Sequence, residues 1–321
     1  MYRLLALILP LSLLGSNATA AELPGIPQFI DEMVAKHQFN REELDLTFQR
    51  AEHRPDIIAA ISAPATIKPW AEYRASFINP ARTEGGIAFW KQYAPQLQRA
   101  EQQYGVPQEI IVAVIGVETL YGRRMGRHRT LDALTTLAFD YPRRADFFRS
   151  ELEHYLLLAR EQGFDLFELK ASYAGALGIP QFMPSSYRKH AIDFNGNGKV
   201  DLLNEAEDAI GSVANYLKQY GWRRSEPVAQ LALLGNAATP MIGGEPRSLA
   251  AWAAAGVTLV SKPQGNVPPA VLLDFTVETG KEYWLAYENF RVITLYNNSN
   301  FYAMSVFQLA EVLRTNYNTT P

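Results

Sequence analysis

One stretch decides how the chain is organised: Ile110-Ile111-Val112-Ala113-Val114-Ile115-Gly116-Val117-Glu118-Thr119-Leu120-Tyr121-Gly122. In this stretch an unbroken apolar run ends at a single acid. A continuous apolar run predicts a segment that is buried on all sides. Burial disfavours the charged form of a carboxylate, and the negative end of a helix dipole acts in the same direction, so the pKa of Glu118 should rise towards neutrality. Such a group can act as a general acid. The alternative is a structural carboxylate paired with Arg123, Arg124 or Arg127.

The composition is that of an ordinary globular protein. The 321 residues are 48% apolar and 20% charged, and 30 basic against 33 acidic side chains give a net charge of -3. The absence of a basic arm or polybasic tract argues against a nucleic-acid partner. The sequence contains no cysteine, which excludes disulfides and thiolate metal sites.

The N-terminus has the pattern of a removable export signal. Arg3 precedes an apolar run at residues 4–14, and Ala18-Thr19-Ala20 fits a small-x-small cleavage site. The run is short for a membrane span, so residues 1–20 are predicted to be a signal peptide. Leu13-Leu14-Gly15-Ser16 resembles a lipid-attachment box with Ser in place of the acylated Cys, which predicts no lipid anchor at Ser16. A soluble periplasmic protein is the expectation.

Helical periodicity predominates up to Trp222, and strand-like patterns follow it. Asn40 and Glu43 fit a capping box ahead of an apolar stripe. Residues 270–278 alternate apolar and polar side chains, the period of a half-buried strand. Shorter strand candidates are residues 228–233, 257–260, 282–287 and 290–296, and residues 303–314 fit a closing amphipathic helix. The predicted fold class is mainly α, within α+β, with a small antiparallel sheet inserted late.

Four sequence blocks carry a family resemblance. They are residues 117–122, the Tyr141-Pro142-Arg143-Arg144 block, the Gly-x-Pro-Gln-Phe-Met-Pro-Ser-Ser-Tyr block at residues 178–187 and the Asp-Ala-Ile-Gly block at residues 208–216. In this order the chain resembles the lytic transglycosylase B family of murein-cleaving enzymes, over roughly residues 73–302. The resemblance implies a lysozyme-like helical core.

The resemblance also implies a reaction with one catalytic acid. In the family, the glutamate matched by Glu118 protonates the oxygen between N-acetylmuramic acid and N-acetylglucosamine and then acts as a base while the muramyl 6-hydroxyl closes a 1,6-anhydro ring. Most glycosidases need two carboxylates, but an intramolecular nucleophile removes the need for the second. Asp132 and Asp140, the nearest other acids, fit helix boundaries.

The family pattern assigns a set of side chains to the glycan groove. Ser172 and Gln181 would contact the sugar chain, although the block around Gln181 could also be a tight turn that packs Phe182 into the core. Arg143 and Arg144 could pair with carboxylates of the murein or lie on the surface. The remaining candidates are Tyr121, Tyr216, Tyr296, Asn297 and Tyr302.

A polar loop at residues 193–201 follows the order of an EF-hand. Asp193, Asn195 and Asn197 supply side-chain oxygens at positions one, three and five, and Lys199 would supply its carbonyl. Asn204 stands where a bidentate Glu belongs, and the resemblance gives the closing ligand as Asp208. A structural Ca²⁺ ion is therefore predicted, with a metal-free Asn-Gly turn as the alternative and no organic cofactor.

The resulting hypothesis is an exported lytic transglycosylase whose partner is the glycan strand of peptidoglycan. Two alternatives stay open: a hydrolytic muramidase, and a non-catalytic murein-binding envelope protein. The predicted division is a signal peptide at 1–20, an N-terminal helical region at 21–85, a lysozyme-like catalytic core at 86–225, a β-rich domain at 226–296 and a C-terminal helix at 297–321.

Overall fold

The computed structural model describes residues 20–63, 68–235, 241–261 and 267–319. Within these residues the fold is mainly α-helical with a small antiparallel sheet, which confirms the predicted fold class. The predicted export signal, including Ser16, lies outside the described residues except for Ala20. Each helix among these residues is too short or too polar to span a lipid bilayer.

The N-terminal helices pack against the rest of the core through aromatic contacts. Asn40 caps the second helix, since its Oδ1 accepts a hydrogen bond from Glu43 N at 3.2 Å, as the capping box predicts. The ring of Phe29 meets Phe48 at 5.9 Å and Phe139 at 5.8 Å, both edge to face. The helices are α1 (Ile26–His37), α2 (Arg41–Arg50), α3 (Pro55–Ser62), α4 (Trp70–Phe77), α5 (Pro80–Gln92) and α6 (Ala94–Tyr104).

The helix that contains the apolar run is the centre of the fold. It packs against helices on several sides, and residues 111–115 have no exposed surface. Complete burial of an Ile or Val side chain contributes about 1.5–3 kcal/mol to stability, so this segment anchors the core. The later helices are α7 (Gln108–Thr119), α8 (Thr130–Asp140), α9 (Ala145–Gln162), α10 (Pro184–His190), α11 (Ala206–Gln219), α12 (Leu249–Ala254), α13 (Glu288–Tyr296) and α14 (Asn300–Thr319). Short 3-10 helices span Ala20–Glu22 and Pro142–Arg144.

Within the described ranges, the strands form one two-stranded and one four-stranded antiparallel sheet. The larger sheet has the order β4-β3-β6-β5, with Leu273 opposite Trp284 in the β5–β6 register. Its two faces are both covered: Phe275 packs on the main core, whereas Leu272 packs with Trp252 in a smaller apolar cluster. The strands are β1 (His128–Arg129), β2 (Lys170–Ala171), β3 (Ala229–Leu234), β4 (Val257–Leu259), β5 (Val271–Val277) and β6 (Gly280–Ala286).

One predicted strand is a helix. Residues 290–296 belong to α13, where Phe290 and Ile293 lie three positions apart on a buried face. A short apolar run cannot be assigned to a strand or a helix from its periodicity alone, and here packing on the helical core decides. The other strand candidates and the closing helix are confirmed within a few residues.

Candidate active site

Glu118 lies in the last turn of α7, where the helix leaves the buried core. The helix stops because Leu120 and Tyr121 adopt left-handed backbone angles, with φ of 51° and 61°. Leu120 N still donates to Gly116 O at 3.2 Å, which satisfies one of the terminal carbonyls. Glu118 is half-buried, so part of the residue remains accessible to solvent.

The carboxyl group of Glu118 has one hydrogen-bond donor among the described side chains. Tyr302, on α14, donates its hydroxyl hydrogen to Glu118 Oε1 at 2.6 Å. Burial raises the pKa of Glu118 from its ordinary value of 4.5 to about 7, while the hydrogen bond from Tyr302 acts in the opposite direction. No neighbouring carboxylate in the described part of the chain contributes to this shift. The raised pKa predicted from the apolar run is thus present in the structure.

Three predicted tyrosines form a continuous wall beside this acid. The rings of Tyr296 and Tyr302 are stacked, 6.3 Å apart and 13° from parallel. Tyr216 lies 4.8 Å from Tyr296, and its hydroxyl donates to Leu295 O at 2.7 Å. Burial, and secondarily the charge of Glu118, raises the pKa of Tyr296 and Tyr302. These phenols therefore stay neutral and can act as hydrogen-bond donors.

The loop that carries Gln181 is fixed against the end of α7. Leu177 and Phe182 exchange backbone hydrogen bonds of 2.8 and 3.0 Å, which closes a tight turn. Gln181 sits in this turn with φ of 52°, and its Nε2 donates to Gly178 O at 2.8 Å and Met125 O at 3.2 Å. The turn also packs Phe182 into the core, so the structural alternative and the predicted groove position are both consistent with the geometry. Tyr296 donates to Pro180 O at 2.6 Å, which joins this loop to the tyrosine wall.

Four other predicted residues make no described contact with Glu118. Ser172 follows β2, and its Oγ accepts from Ala176 N at 3.1 Å. Arg143 and Arg144 are exposed, and the guanidinium of Arg144 lies 4.2 Å from the centroid of the half-exposed Phe147. Asn297 is exposed at the end of α13. Their predicted contacts with the glycan stay predictions.

Two further tyrosines lie close to the end of α7, and one of them was not predicted. The Tyr121 hydroxyl donates to Arg82 O at 2.7 Å and its ring packs over Gly85 and Gly116, so the geometry favours a packing role over glycan contact. Tyr73, which the sequence analysis did not single out, stacks on Trp70 at 6.3 Å. Burial raises its pKa, and the charge of Glu118 adds to the shift, which places Tyr73 near the acid. Only the aromatic spacing of α4 could have indicated it.

The EF-hand-like loop is organised around two carboxylates. Asp193 Oδ1 accepts from Gly196 N at 2.7 Å, and its Oδ2 accepts from Gly198 N at 2.7 Å. Glu205 lies across the loop and accepts hydrogen bonds from the side-chain amides of Asn195 and Asn197.

Asp208 accepts hydrogen bonds from three backbone amides of this loop. It is fully buried, with Oδ1 bound to Phe194 N at 2.8 Å and Oδ2 bound to Asp201 N at 2.9 Å. Asn195 N also donates to Oδ1, at 3.3 Å. The carboxylate of Asp208 therefore holds the backbone of the loop together, and its predicted role as the closing ligand stays a prediction. No group of three or more His, Cys, Asp or Glu within the described ranges is placed to hold a metal ion.

Comparison with known proteins agrees with this geometry. Residues 22–311 match the family model described as a transglycosylase SLT domain. The chain belongs to the transglycosylase SLT family. It is 46% identical over 306 residues to membrane-bound lytic murein transglycosylase B of Escherichia coli K12, covering 91% of this chain and 83% of the relative.

Solved structures of the family superpose over most of the chain. Soluble lytic transglycosylase SltB1 of Pseudomonas aeruginosa is 45% identical with a TM-score of 0.85, covering 92% of this chain and 100% of that one. The E. coli lytic transglycosylase Slt35, solved in complex with bulgecin A and in complex with calcium, is 45% identical with a TM-score of 0.86, covering 92% and 95%. This SLT-family chain is therefore a lytic transglycosylase that acts on peptidoglycan.

Proposed function

We propose that Glu118 is the general acid and then the general base of the transglycosylase reaction. The observation that carries the proposal is a half-buried carboxyl whose pKa is raised to about 7 without a contribution from another described carboxylate. A group with this pKa is partly protonated at neutral pH and can both give and accept a proton.

The reaction proposed for this site conserves all atoms of the glycan. The Glu118 proton passes to the oxygen that links N-acetylmuramic acid to N-acetylglucosamine as the bond from that oxygen to the muramyl anomeric carbon breaks. The muramyl 6-hydroxyl oxygen then bonds to the same carbon, and its proton returns to the Glu118 carboxylate. One carboxylate suffices because the nucleophile belongs to the substrate, whereas hydrolysis would need a second group to activate water.

The surrounding residues would position the acid and the sugar chain. Tyr302 orients the Glu118 carboxyl through its 2.6 Å hydrogen bond. Ser172 and Gln181 would bind polar groups of the glycan, and Arg143 and Arg144 would meet its anionic peptides. Tyr216 and Tyr296 support this wall through packing and backbone hydrogen bonds.

Digestion of purified sacculi with Glu118→Gln tests the catalytic assignment. We expect soluble fragments to disappear while the circular dichroism spectrum stays that of the wild type, because Gln keeps the size of the side chain and cannot donate an acidic proton. Mass spectrometry of wild-type products should give anhydro ends that are one water lighter than the hydrolytic products. Near-normal release by Glu118→Gln would refute the role of Glu118, and reducing ends would favour a hydrolytic muramidase.

We propose further that the loop at residues 193–201 binds Ca²⁺. Asp193, Asn195, Asn197 and the carbonyl of Lys199 form an all-oxygen set, which suits a hard cation. Glu205 already reaches the two amides, and rotation of each amide would turn its oxygen towards the same side. Glu205 would then close the site in place of Asp208. The ion would brace the loop directly before Leu202. The carbonyl of Leu202 accepts a hydrogen bond from Ile179 N at 2.8 Å, next to the turn that carries Gln181.

Two variants separate these assignments of the closing ligand. Glu205→Gln should leave the melting temperature without calcium unchanged and remove the rise that calcium produces. Asp208→Asn should lower the melting temperature even with a chelator present, because it disturbs the buried hydrogen bonds of the loop. If calcium still raises the melting temperature of Glu205→Gln, a residue other than Glu205 is the closing ligand.

We propose a periplasmic location for the mature protein. The export signal predicted at residues 1–20 and a murein substrate both support it. Position 16, where a lipid-attachment box would have Cys, is Ser, which argues against a lipid anchor there. Fractionation of cells that express the full chain tests this: we expect release with the periplasm after osmotic shock, whereas recovery with membranes would contradict it.

A further inference from the structure

Arg82, which belongs to none of the four sequence blocks, joins two helix ends close to Glu118. It lies in the first turn of α5 and is half-buried. Its Nε donates to Gly116 O at 3.1 Å, in the last turn of α7, and its Nη1 donates to Ser76 O at 2.7 Å, in the last turn of α4. The last carbonyl groups of a helix lack partners within the helix, and one guanidinium has enough N–H groups for several of them. Arg82 therefore fixes the ends of both helices to α5.

Tyr121 makes the return contact from the end of α7 to α5. Its hydroxyl donates to Arg82 O at 2.7 Å. The hydroxyl oxygen fits because Gly86 and Gly116 have no side chain, and a Cβ at either position would overlap it. Arg82 and Tyr121 thus form a reciprocal pair, which we call the clamp. The side chain of Arg82 binds α7, and the backbone of Arg82 binds the side chain of Tyr121, just beyond α7.

The clamp encloses the short segment that carries Glu118. Gly116 is two residues before the acid, and Tyr121 is three residues after it. Leu120 and Tyr121 both have left-handed backbone angles, which cost roughly 1–2 kcal/mol at a residue with a side chain. Such angles persist where the surrounding contacts fix them. The clamp supplies contacts on both sides of Glu118, and so it defines how α7 ends.

The burial of Glu118 depends on where this segment lies. Among the described residues, the titratable side chains that face the acid from other helices are Tyr73 on α4, Tyr216 on α11, Tyr296 on α13 and Tyr302 on α14. These four phenols are neutral. Burial raises the pKa of Glu118 to about 7, the hydrogen bond from Tyr302 lowers it, and the charge of Arg82 makes no contribution. Arg82 can therefore act on the acid through position rather than through charge.

We propose that Arg82 is a positioning residue for the catalytic acid, and that together with Tyr121 it holds Glu118 in its place at the end of α7. That Glu118 is the catalytic acid rests on the proposed function. Without the clamp, the last turn of α7 frays and the carboxyl group moves towards water. Water stabilises the charged form, so the pKa of Glu118 falls towards its ordinary value of 4.5.

Replacement of Arg82 separates this role from an electrostatic one. Loss of a cation near a carboxyl group raises the pKa of that group, whereas exposure to water lowers it. Arg82→Gln should therefore lower the pKa of Glu118 if the clamp acts through position, and raise it if the charge acts. Tyr121→Phe removes one hydroxyl and no charge, and it should lower the pKa as well.

NMR titration of isotope-labelled glutamate carboxyl carbons measures this pKa, with Glu118→Gln to assign the resonance. We expect a pKa roughly one unit lower in Arg82→Gln, and a smaller fall in Tyr121→Phe. A general acid is active when protonated, so the alkaline limb of murein release should move to lower pH in both variants. Loss of folded protein alone would lower the rate without moving this limb.

Tyr155→Phe is the matched control. Tyr155 is fully buried, and its hydroxyl donates to Leu166 O at 2.9 Å, so the variant loses the same kind of hydrogen bond in another part of the fold. Tyr155→Phe should lower the melting temperature and leave the titration of Glu118 unchanged.

The outcomes separate this proposal from the proposed function. An unchanged or raised pKa of Glu118 in either folded clamp variant would overturn the clamp, as would an equal fall in Tyr155→Phe. Circular dichroism checks folding, and if Arg82→Gln does not fold, Tyr121→Phe decides alone. The titration needs no catalysis. If Glu118→Gln still cleaves murein while the pKa falls as expected in the clamp variants, the catalytic assignment fails and the clamp stands.

Discussion

Thr119 Oγ1 donates a 2.8 Å hydrogen bond to the carbonyl oxygen of Ile179, sixty residues later in the chain. The same hydroxyl oxygen accepts from Gly122 N at 3.0 Å. Thr119 is fully buried, so both bonds are shielded from water. This one hydroxyl therefore ties the end of α7, next to Glu118, to the turn that presents Gln181.

Removal of this hydroxyl should loosen the site and the fold together. Thr119→Val keeps the shape of the side chain but leaves a buried carbonyl and a backbone amide without partners, which should cost about 1–3 kcal/mol in the free energy of unfolding. Urea denaturation measures this loss, and murein release should fall with it. Thr119→Ser keeps the hydroxyl and is the control. Equal stability of the two variants would show that the bond contributes little.

Tyr302→Phe should change the pH dependence of catalysis. The phenolic hydrogen bond favours the ionised form of Glu118, so its loss should raise the pKa of Glu118 above about 7. A general acid is active when protonated, and the alkaline limb of the rate profile should therefore shift to higher pH. Tyr296→Phe is the matched control, because that hydroxyl donates to Pro180 O. An unchanged limb in Tyr302→Phe would mean that this hydrogen bond does not tune the acid.

Features that depend on a local sequence pattern could be predicted from the sequence. Contacts between side chains that are brought together by tertiary packing could not. The apolar run before Glu118 was enough to predict burial and a raised pKa, because it is long and uninterrupted. The hydrogen bond from Tyr302 depends on how α14 packs on α7, 184 residues apart in the chain. The position of Glu205 over Asn195 depends on the path of the loop, which sequence spacing does not define.

The titration of Glu118 should be visible in stability as well as in catalysis. Its pKa is 4.5 when unfolded and about 7 when folded, so the folded state binds more protons between these values. Glu118 therefore contributes up to roughly 3 kcal/mol to the free energy of unfolding. This contribution is fully present below pH 4.5 and is lost as the pH rises to about 7. Glu118→Gln lacks this loss. The free energy of unfolding of Glu118→Gln, measured with urea, should therefore rise relative to that of the wild type from pH 5 to pH 8. A constant difference would indicate an ordinary pKa.

Gly178 should not tolerate a side chain, because two separate constraints apply to it. Its φ is 68°, and a Cβ there would overlap the carbonyl oxygen of Leu202. Gly163 has nearly the same φ of 69°, but no described atom lies within 4 Å of the position that its Cβ would occupy. Gly163→Ala therefore measures the conformational cost alone, about 1–2 kcal/mol. Gly178→Ala adds the clash and should lose more stability in thermal unfolding. Gly178→Ala should also lower murein release, because the displaced turn carries Gln181. If Gly178→Ala loses no more stability than Gly163→Ala, the backbone at Leu202 moves aside at little cost.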